Sequence, residues 1–133
     1  MKTLLISGSR NANDAMLKRA EIIVEDALNR GFYIIFGDAP GVDTRVHEAV
    51  HLFNKRGLFA GTCFYAKGNL RQRHKYHDIH YINCGDVSYT KRDIRMIRLA
   101  SVVMCLWDGN SKGTKHAYDY AELIGKRAFL EAF

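Results

Sequence analysis

Apolar residues along this chain occur in two kinds of stretch, short unbroken runs and sets spaced three and four apart, and the two kinds alternate. Residues 3–7 are a short apolar run closed by Gly8, the pattern of a buried strand. Over 13–30 the period changes. Leu17, Ala20, Val24, Ala27 and Leu28 recur at helical spacing, Asn11 or Asn13 caps the start, and Gly31 stops the end. A second strand is predicted over 32–36, where aromatic and β-branched residues cluster before the loop 37–43, and a second helix over 43–55. Residues 58–65 predict a third strand, weakened by Gly61 in its middle.

From 66 to 89 the periodicity is lost. Lys67, Arg71, Arg73, His74, Lys75, His77 and His80 stand among aromatic residues, and the stretch reads as one long loop of the kind that carries function in a compact domain. Thr90 and Asp93 have capping-box spacing for a short helix burying Ile94, Ile97 and Ala100. Residues 101–107 are the strongest strand in the chain. They lead into a polar loop, a helix to about Ile124, a stop at Gly125-Lys126, and a last strand over 128–133. Such alternation predicts an α/β fold with a mostly parallel sheet of about five strands, covered on both faces and joined by right-handed crossovers. Ligands of such sheets collect beyond the carboxyl ends of the strands, where the strand order reverses, and all three glycine loops leave a strand at that edge.

A length of 133 residues is about one domain, and with no internal repeat or linker residues 1–133 are expected to form a single unit. Lys and Arg number 20 against 14 Asp and Glu, a net charge of +6, which favours phosphate-bearing partners, nucleic acid included. The basic residues are spread along the chain, so a solvated basic surface accounts for many of them. Cys63, Cys84 and Cys105 form no C-x-x-C pair and are odd in number, which implies free thiols and a cytoplasmic location. No leader segment precedes the first strand, and no apolar run approaches the ~20 residues of a membrane helix, so no membrane partner is expected.

Two strand-loop-helix corners carry the chemistry: Ser7-Gly8-Ser9-Arg10, and Asp108-Gly109-Asn110-Ser111-Lys112-Gly113-Thr114. In each, the first helical turn points unpaired N–H groups and a positive dipole end at whatever lies over the loop, which suits phosphate. Glycine lets backbone approach closely, Ser9, Ser111 and Thr114 offer hydroxyls, and Arg10 and Lys112 offer charge. A third loop adds Gly37, Asp38, Gly41 and Asp43, though a tight turn and a helix cap explain it equally well. Arg92, Arg95 and Arg98 form a drifting basic stripe, a solvated face unless Arg92, at the helix start, reaches over the same sheet edge. Trp107 and Tyr118 flank the second corner, either to stack on a base or, as favoured for Trp107, to pack in the core.

His47-Glu48-Ala49-Val50-His51 fits the H-E-x-x-H zinc pattern. A catalytic zinc needs a third protein ligand, and Asn54 and Gly57 stand where the elongated motif has Gly and His, while His74, His77 and His80 match no zinc spacing. Solvent-edge histidines are the better reading, and neither a metal nor a cofactor is expected. Neither a Ser-His-Asp order nor a reactive cysteine stands out, so no catalytic residue is assigned.

Together these residues resemble the SLOG superfamily, a Rossmann-like group that includes the DNA-processing protein DprA and the LOG phosphoribohydrolases. Gly8-Ser9-Arg10 resembles its first loop, and residues 37–47 resemble the G-x-A-x-G-x-D-x-x-x-H segment of DprA-like members. Arg92 to Met96 is similar to an R-x-x-x-M stretch of LOG proteins and of the small YspA-like DUF2493 family, and Trp107 to Thr114 closely resembles that family's W/F-D-G-x-S-x-G-T loop. The resemblance implies a Rossmann-like three-layer sandwich, a nucleotide site over the sheet edge, and often a homo-oligomer. Its ligand-binding residues fall on Gly8, Ser9, Arg10, Gly37, Asp38, Gly41, Asp43, Arg92, Gly109, Ser111, Gly113 and Thr114. Two departures matter. Ala117 stands where LOG-type hydrolases carry a glutamate, with Asp119 the nearest acid on that helix, and Pro40 replaces a commonly basic residue. The favoured reading is a protein that senses or sequesters a phosphorylated nucleotide or a nucleotide-derived signal, ADP-ribose-like or cyclic. The rivals are a nucleotide N-glycosidic hydrolase and a DprA-like single-strand DNA binder using the basic, aromatic stretch 67–89.

Overall fold

The computed structural model describes residues 2–66 and 75–133. Among them six parallel strands are β1 (Thr3–Gly8), β2 (Tyr33–Gly37), β3 (Gly61–Tyr65), β4 (Ile79–Asn83), β5 (Val102–Trp107) and β6 (Arg127–Ala132), in the order β4-β3-β2-β1-β5-β6. Four helices accompany them: α1 (Asp14–Asn29), α2 (Val42–Phe53), α3 (Tyr89–Leu99) and α4 (Lys112–Leu123). The expected α/β architecture is present, with a sheet that is parallel throughout and one strand larger than about five.

The additional strand, β4, lies inside the stretch read as a loop. It is an edge strand that pairs only with β3, and its exposed His80 and Asn83 break the run of strand-favouring Ile79, Tyr81 and Ile82, so its strand signal is weak. β3 starts at Gly61 rather than at residue 58, leaving Leu58 and Phe59 exposed. A Cβ on Gly61 would stand 2.6 Å from the Ile34 carbonyl oxygen, so this glycine admits β3 against β2 instead of weakening it. Asn13 caps α1 by accepting from the Met16 N–H at 2.9 Å. For α3 the cap is Ser88, accepting from Lys91 N–H at 3.2 Å, and not Thr90. Asp93 is turned instead toward Arg92.

Side chains alternate across β1 and divide the core in two. Leu4 and Ile6 face Met16, Ala20 and Val24 of α1 and Val46 and Val50 of α2. Leu5 faces the other way, onto Met96 and Ile97 of α3 and Ala117 and Ala121 of α4. Two helical layers with a sheet between them follow from that alternation, and each fully buried large apolar side chain contributes roughly 1.5–3 kcal/mol. No helix among the described residues is long and apolar enough to cross a membrane.

The chain steps outward from β1 through β2 and β3 to β4, then returns to lay β5 on the other side of β1. The order therefore reverses between β1 and β5, whose carboxyl ends are Gly8 and Trp107. Both phosphate-type corners leave the sheet at this point.

Candidate functional site

Hydrogen bonds join the corners to each other. Ser9 N–H donates to the Leu106 carbonyl at 3.0 Å, and Asp108 N–H donates to Ser9 Oγ at 3.1 Å, so the loops after β1 and β5 are one structure. Val42 N–H donates to the Ser9 carbonyl at 3.3 Å and brings in the third loop. Glycine is required where they meet. A Cβ on Gly8 would lie 2.5 Å from Val42 Cβ, and one on Gly41, whose φ is +83°, would lie 2.4 Å from the Arg10 carbonyl oxygen.

A cleft of about 400 Å³ opens over these loops. Of the residues expected at the site, Gly8, Arg10, Asp43, Arg92, Ser111, Gly113 and Thr114 line it. Ser9 and Gly41 hold the loops together behind it, Gly109 makes the turn of the second corner at φ +88°, and Gly37 and Asp38 lie against Arg92.

In the second corner, Asp108 Oδ1 accepts from Asn110 N–H at 2.9 Å and Ser111 N–H at 2.7 Å. These bonds, with the one from Ser111 leading, hold the carboxyl below its ordinary value. They also occupy two loop amides that would otherwise face an anion. Trp107 Nε1–H pins the same loop by donating to the Ser111 carbonyl at 2.9 Å. What remains for a ligand is the first turn of α4. The amides of Lys112, Gly113 and Thr114 precede the i→i−4 ladder, beside the Ser111 and Thr114 hydroxyls, which lie 3.3 Å apart.

The floor of the cleft is acidic. Arg92 is only 3 % exposed and sits among three carboxylates: it donates through Nη1 to Asp38, through Nε and Nη2 to Asp93 at 3.2 and 3.0 Å, and lies 3.6 Å from Asp43. Gly37 makes room for it, since a Cβ there would be 2.5 Å from Arg92 Cζ. Burial alone would lower the guanidinium pKa, but Asp43, Asp93 and Asp38 outweigh it and hold Arg92 firmly charged. Burial pushes the Asp43 carboxyl up to about 7 despite Arg92 and the Ala39 N–H, and it raises Asp93 as well. Arg92 therefore belongs to the cleft, with its donors directed at carboxylates. The stripe of three arginines is split: Arg92 points inward, while Arg95 and Arg98 are exposed, Arg98 donating to the Tyr120 hydroxyl at 3.0 Å.

Tyr89, the last residue of the aromatic stretch 67–89, is not among the ligand-binding residues expected from the sequence. It lines the cleft with the Arg10 and Arg92 guanidinium carbons 4.6 and 4.7 Å from its ring centroid. It stands three residues before Arg92 on the same face of α3, a relationship that a capping box at Thr90 conceals because α3 begins one residue earlier, after Ser88. Asp119 is paired with Lys115 at 2.6 Å and does not line the cleft; Ala117 is buried under α4 in the core. The cleft's acids are Asp43, Asp93 and Asp108. Tyr118 packs, partly buried, against the core beneath α3 and α4.

The H-E-x-x-H histidines have separate partners. His47 is buried, not at the solvent edge, and shares a 2.8 Å hydrogen bond with the Tyr81 hydroxyl of β4. His51 donates through Nδ1 to Asp78 at 2.8 Å and stacks on Tyr76, ring centroids 4.1 Å apart. His80 stacks on Phe59, and His74 lies outside the described residues, as do Lys67, Arg71 and Arg73 of the basic stretch.

No protein-family model and no curated protein matches the chain. Solved structures do. The DNA processing protein A of Helicobacter pylori, described for its single-stranded DNA binding mode, matches with a TM-score of 0.70 at 16% identity over 97% of this chain. This chain spans 64% of that protein. The structural-genomics target TM1055 matches with a TM-score of 0.73 at 17% identity, over 96% of this chain and 72% of its own. At these identities the shared property is the fold, and this chain has the Rossmann-like α/β architecture of both proteins.

Proposed function

We propose that the cleft between β1 and β5 binds a phosphorylated nucleotide or nucleotide-derived small molecule, which the protein senses or sequesters. One observation carries the reading. At the point where strand order reverses, two mutually hydrogen-bonded corners present the α4 first-turn amides, the Ser111 and Thr114 hydroxyls, and Arg10, which has no carboxylate partner among the described residues. Phosphate suits that side. Asp43 and Asp93 on the floor accept hydrogen bonds, and ribose hydroxyls or an exocyclic amine supply donors, so a nucleotide suits both sides where a bare polyphosphate suits one. The SLOG resemblance adds the expectation of a homo-oligomer, and the free thiols a cytoplasmic setting.

A thermal-shift screen against nucleoside monophosphates, cyclic nucleotides and ADP-ribose tests the reading. A stabilising ligand is expected, and Arg10→Ala combined with Thr114→Ala abolishes the shift; an unchanged shift removes the site. Release of free base during the same incubations would instead favour an N-glycosidic hydrolase. Single-strand DNA binding is the second reading, favoured by the match of this fold to the Helicobacter pylori protein and by the net charge of +6. It requires affinity that falls steeply with salt, and absence of binding at low salt discards it.

A further inference from the structure

The two arginines over Tyr89 differ in how they are held. Arg92 is buried and bound to Asp38 and Asp93, so it cannot leave the ring without exposing charge. Arg10 is exposed, ends the first corner, and has no ion-pair partner among the described residues. Both guanidiniums are drawn to the same ring quadrupole, and each weakens the hold of the other. An exposed cation–π contact is also weaker than a charge-assisted hydrogen bond to phosphate. Arg10 and the first turn of α4 line the same cleft, so an anion at α4 offers Arg10 a stronger partner than the ring.

We infer that the area of Tyr89 now covered by Arg10 is the stacking platform for the ligand's base, vacated as Arg10 turns to the phosphate. This rests on the reading of the cleft as a phosphorylated-nucleotide site. Tyr89 is suited to the role because it is fixed at both ends of its attachment: the Ser88 cap sets its backbone at the start of α3, and Arg92 lies over its ring. Aromatic stacking tolerates any base, so the inference concerns how a base is held and not which.

Calorimetric titration of the intact chain with adenosine and guanosine 5′-monophosphates, their 3′,5′-cyclic forms and ADP-ribose, beside ribose 5-phosphate as the control lacking a base, tests this. Tyr89→Ala should weaken the nucleotides by roughly tenfold or more and leave ribose 5-phosphate unchanged, while Tyr89→Phe and Tyr89→Trp retain nucleotide affinity. Tyr89→Leu, which preserves apolar cover over Arg92, should behave like Tyr89→Ala and guards against misfolding of the smaller variant. Equal loss for ribose 5-phosphate and nucleotides, or no loss for either, overturns the inference and leaves the cleft reading standing. Failure of the wild-type chain to bind any of these ligands removes the cleft reading, and the inference with it.

Discussion

The Asp108 N–H donates to the Ser9 hydroxyl across 3.1 Å, linking residues 99 positions apart and fixing the distance between the two corners of the cleft. Ser9 is 1 % exposed, while Asp108 is partly buried and lines the cleft. Ser9→Ala should cost about 0.5–1.5 kcal/mol, the net contribution of one part-buried hydrogen bond. Urea unfolding measures it. A variant as stable as the wild type would mean that the β1–β5 ladder and the Ser9 N–H bond to Leu106 hold the corners together without the hydroxyl.

Gly41 and Gly109 both have positive φ, +83° and +88°, yet alanine should be tolerated at one and not at the other. At Gly109 a Cβ meets nothing within 4 Å, and the cost is the roughly 1–2 kcal/mol of a left-handed L-residue. At Gly41 the same Cβ would approach the Arg10 and Ser9 carbonyl oxygens to 2.4 and 2.6 Å, and Ser9 is held in place by hydrogen bonds to β5 and Val42. Gly41→Ala should therefore destabilise well beyond Gly109→Ala and displace Arg10. Comparison of the two melting curves decides it, and equal losses would show that the first loop yields freely.

Local signals made most of the fold and the cleft legible. Glycines and hydroxyl residues directly after apolar runs mark both corners, and Asn13 marks the start of α1, because caps and turns depend on neighbours within four residues. What escaped depends on distant partners. Edge strand β4 has polar residues wherever β3 and the core do not reach it. Burial of His47 needs Tyr81 from that strand, 34 positions away. Its position at the start of a helix puts Arg92 at the sheet edge, but its carboxylates include Asp38, 54 positions earlier, and only the tertiary fold shows that the guanidinium is directed at them.

That arrangement predicts the outcome of replacing Arg92. Arg92→Met leaves Asp38, Asp43 and Asp93 close together with no cation, and should cost about 3–5 kcal/mol at neutral pH, in part recovered at lower pH as the carboxyls take up protons. Arg92→Lys should rescue little, because one ammonium cannot bond Asp38 and Asp93 in the forked geometry that the guanidinium uses. Chemical denaturation of the three proteins tests this, and a lysine variant as stable as the wild type would reduce the cluster to simple charge balance.

Asp43 gives the protein a pH dependence of defined sign. Its carboxyl ordinarily titrates near 3.8 and is pushed up to about 7 by burial, so between those values the folded state binds more protons than the unfolded one. The stability it contributes is complete below about 3.8 and is lost as pH rises through about 7. Asp43→Asn removes the ionisation while its amide oxygen can still accept from Ala39 N–H, which lies 3.1 Å from the carboxylate. The wild type should therefore lose stability relative to Asp43→Asn as pH rises from about 4 to about 7, with the difference level above that range. Asp78 and Asp108, held below their ordinary values, act in the opposite direction and at lower pH, and they cancel between the two proteins. Asp93, raised by burial, responds in the same sense in both proteins. Urea midpoints across the range decide the matter: a constant difference would mean that Asp43 stays ionised throughout, held by Arg92 more strongly than burial opposes it.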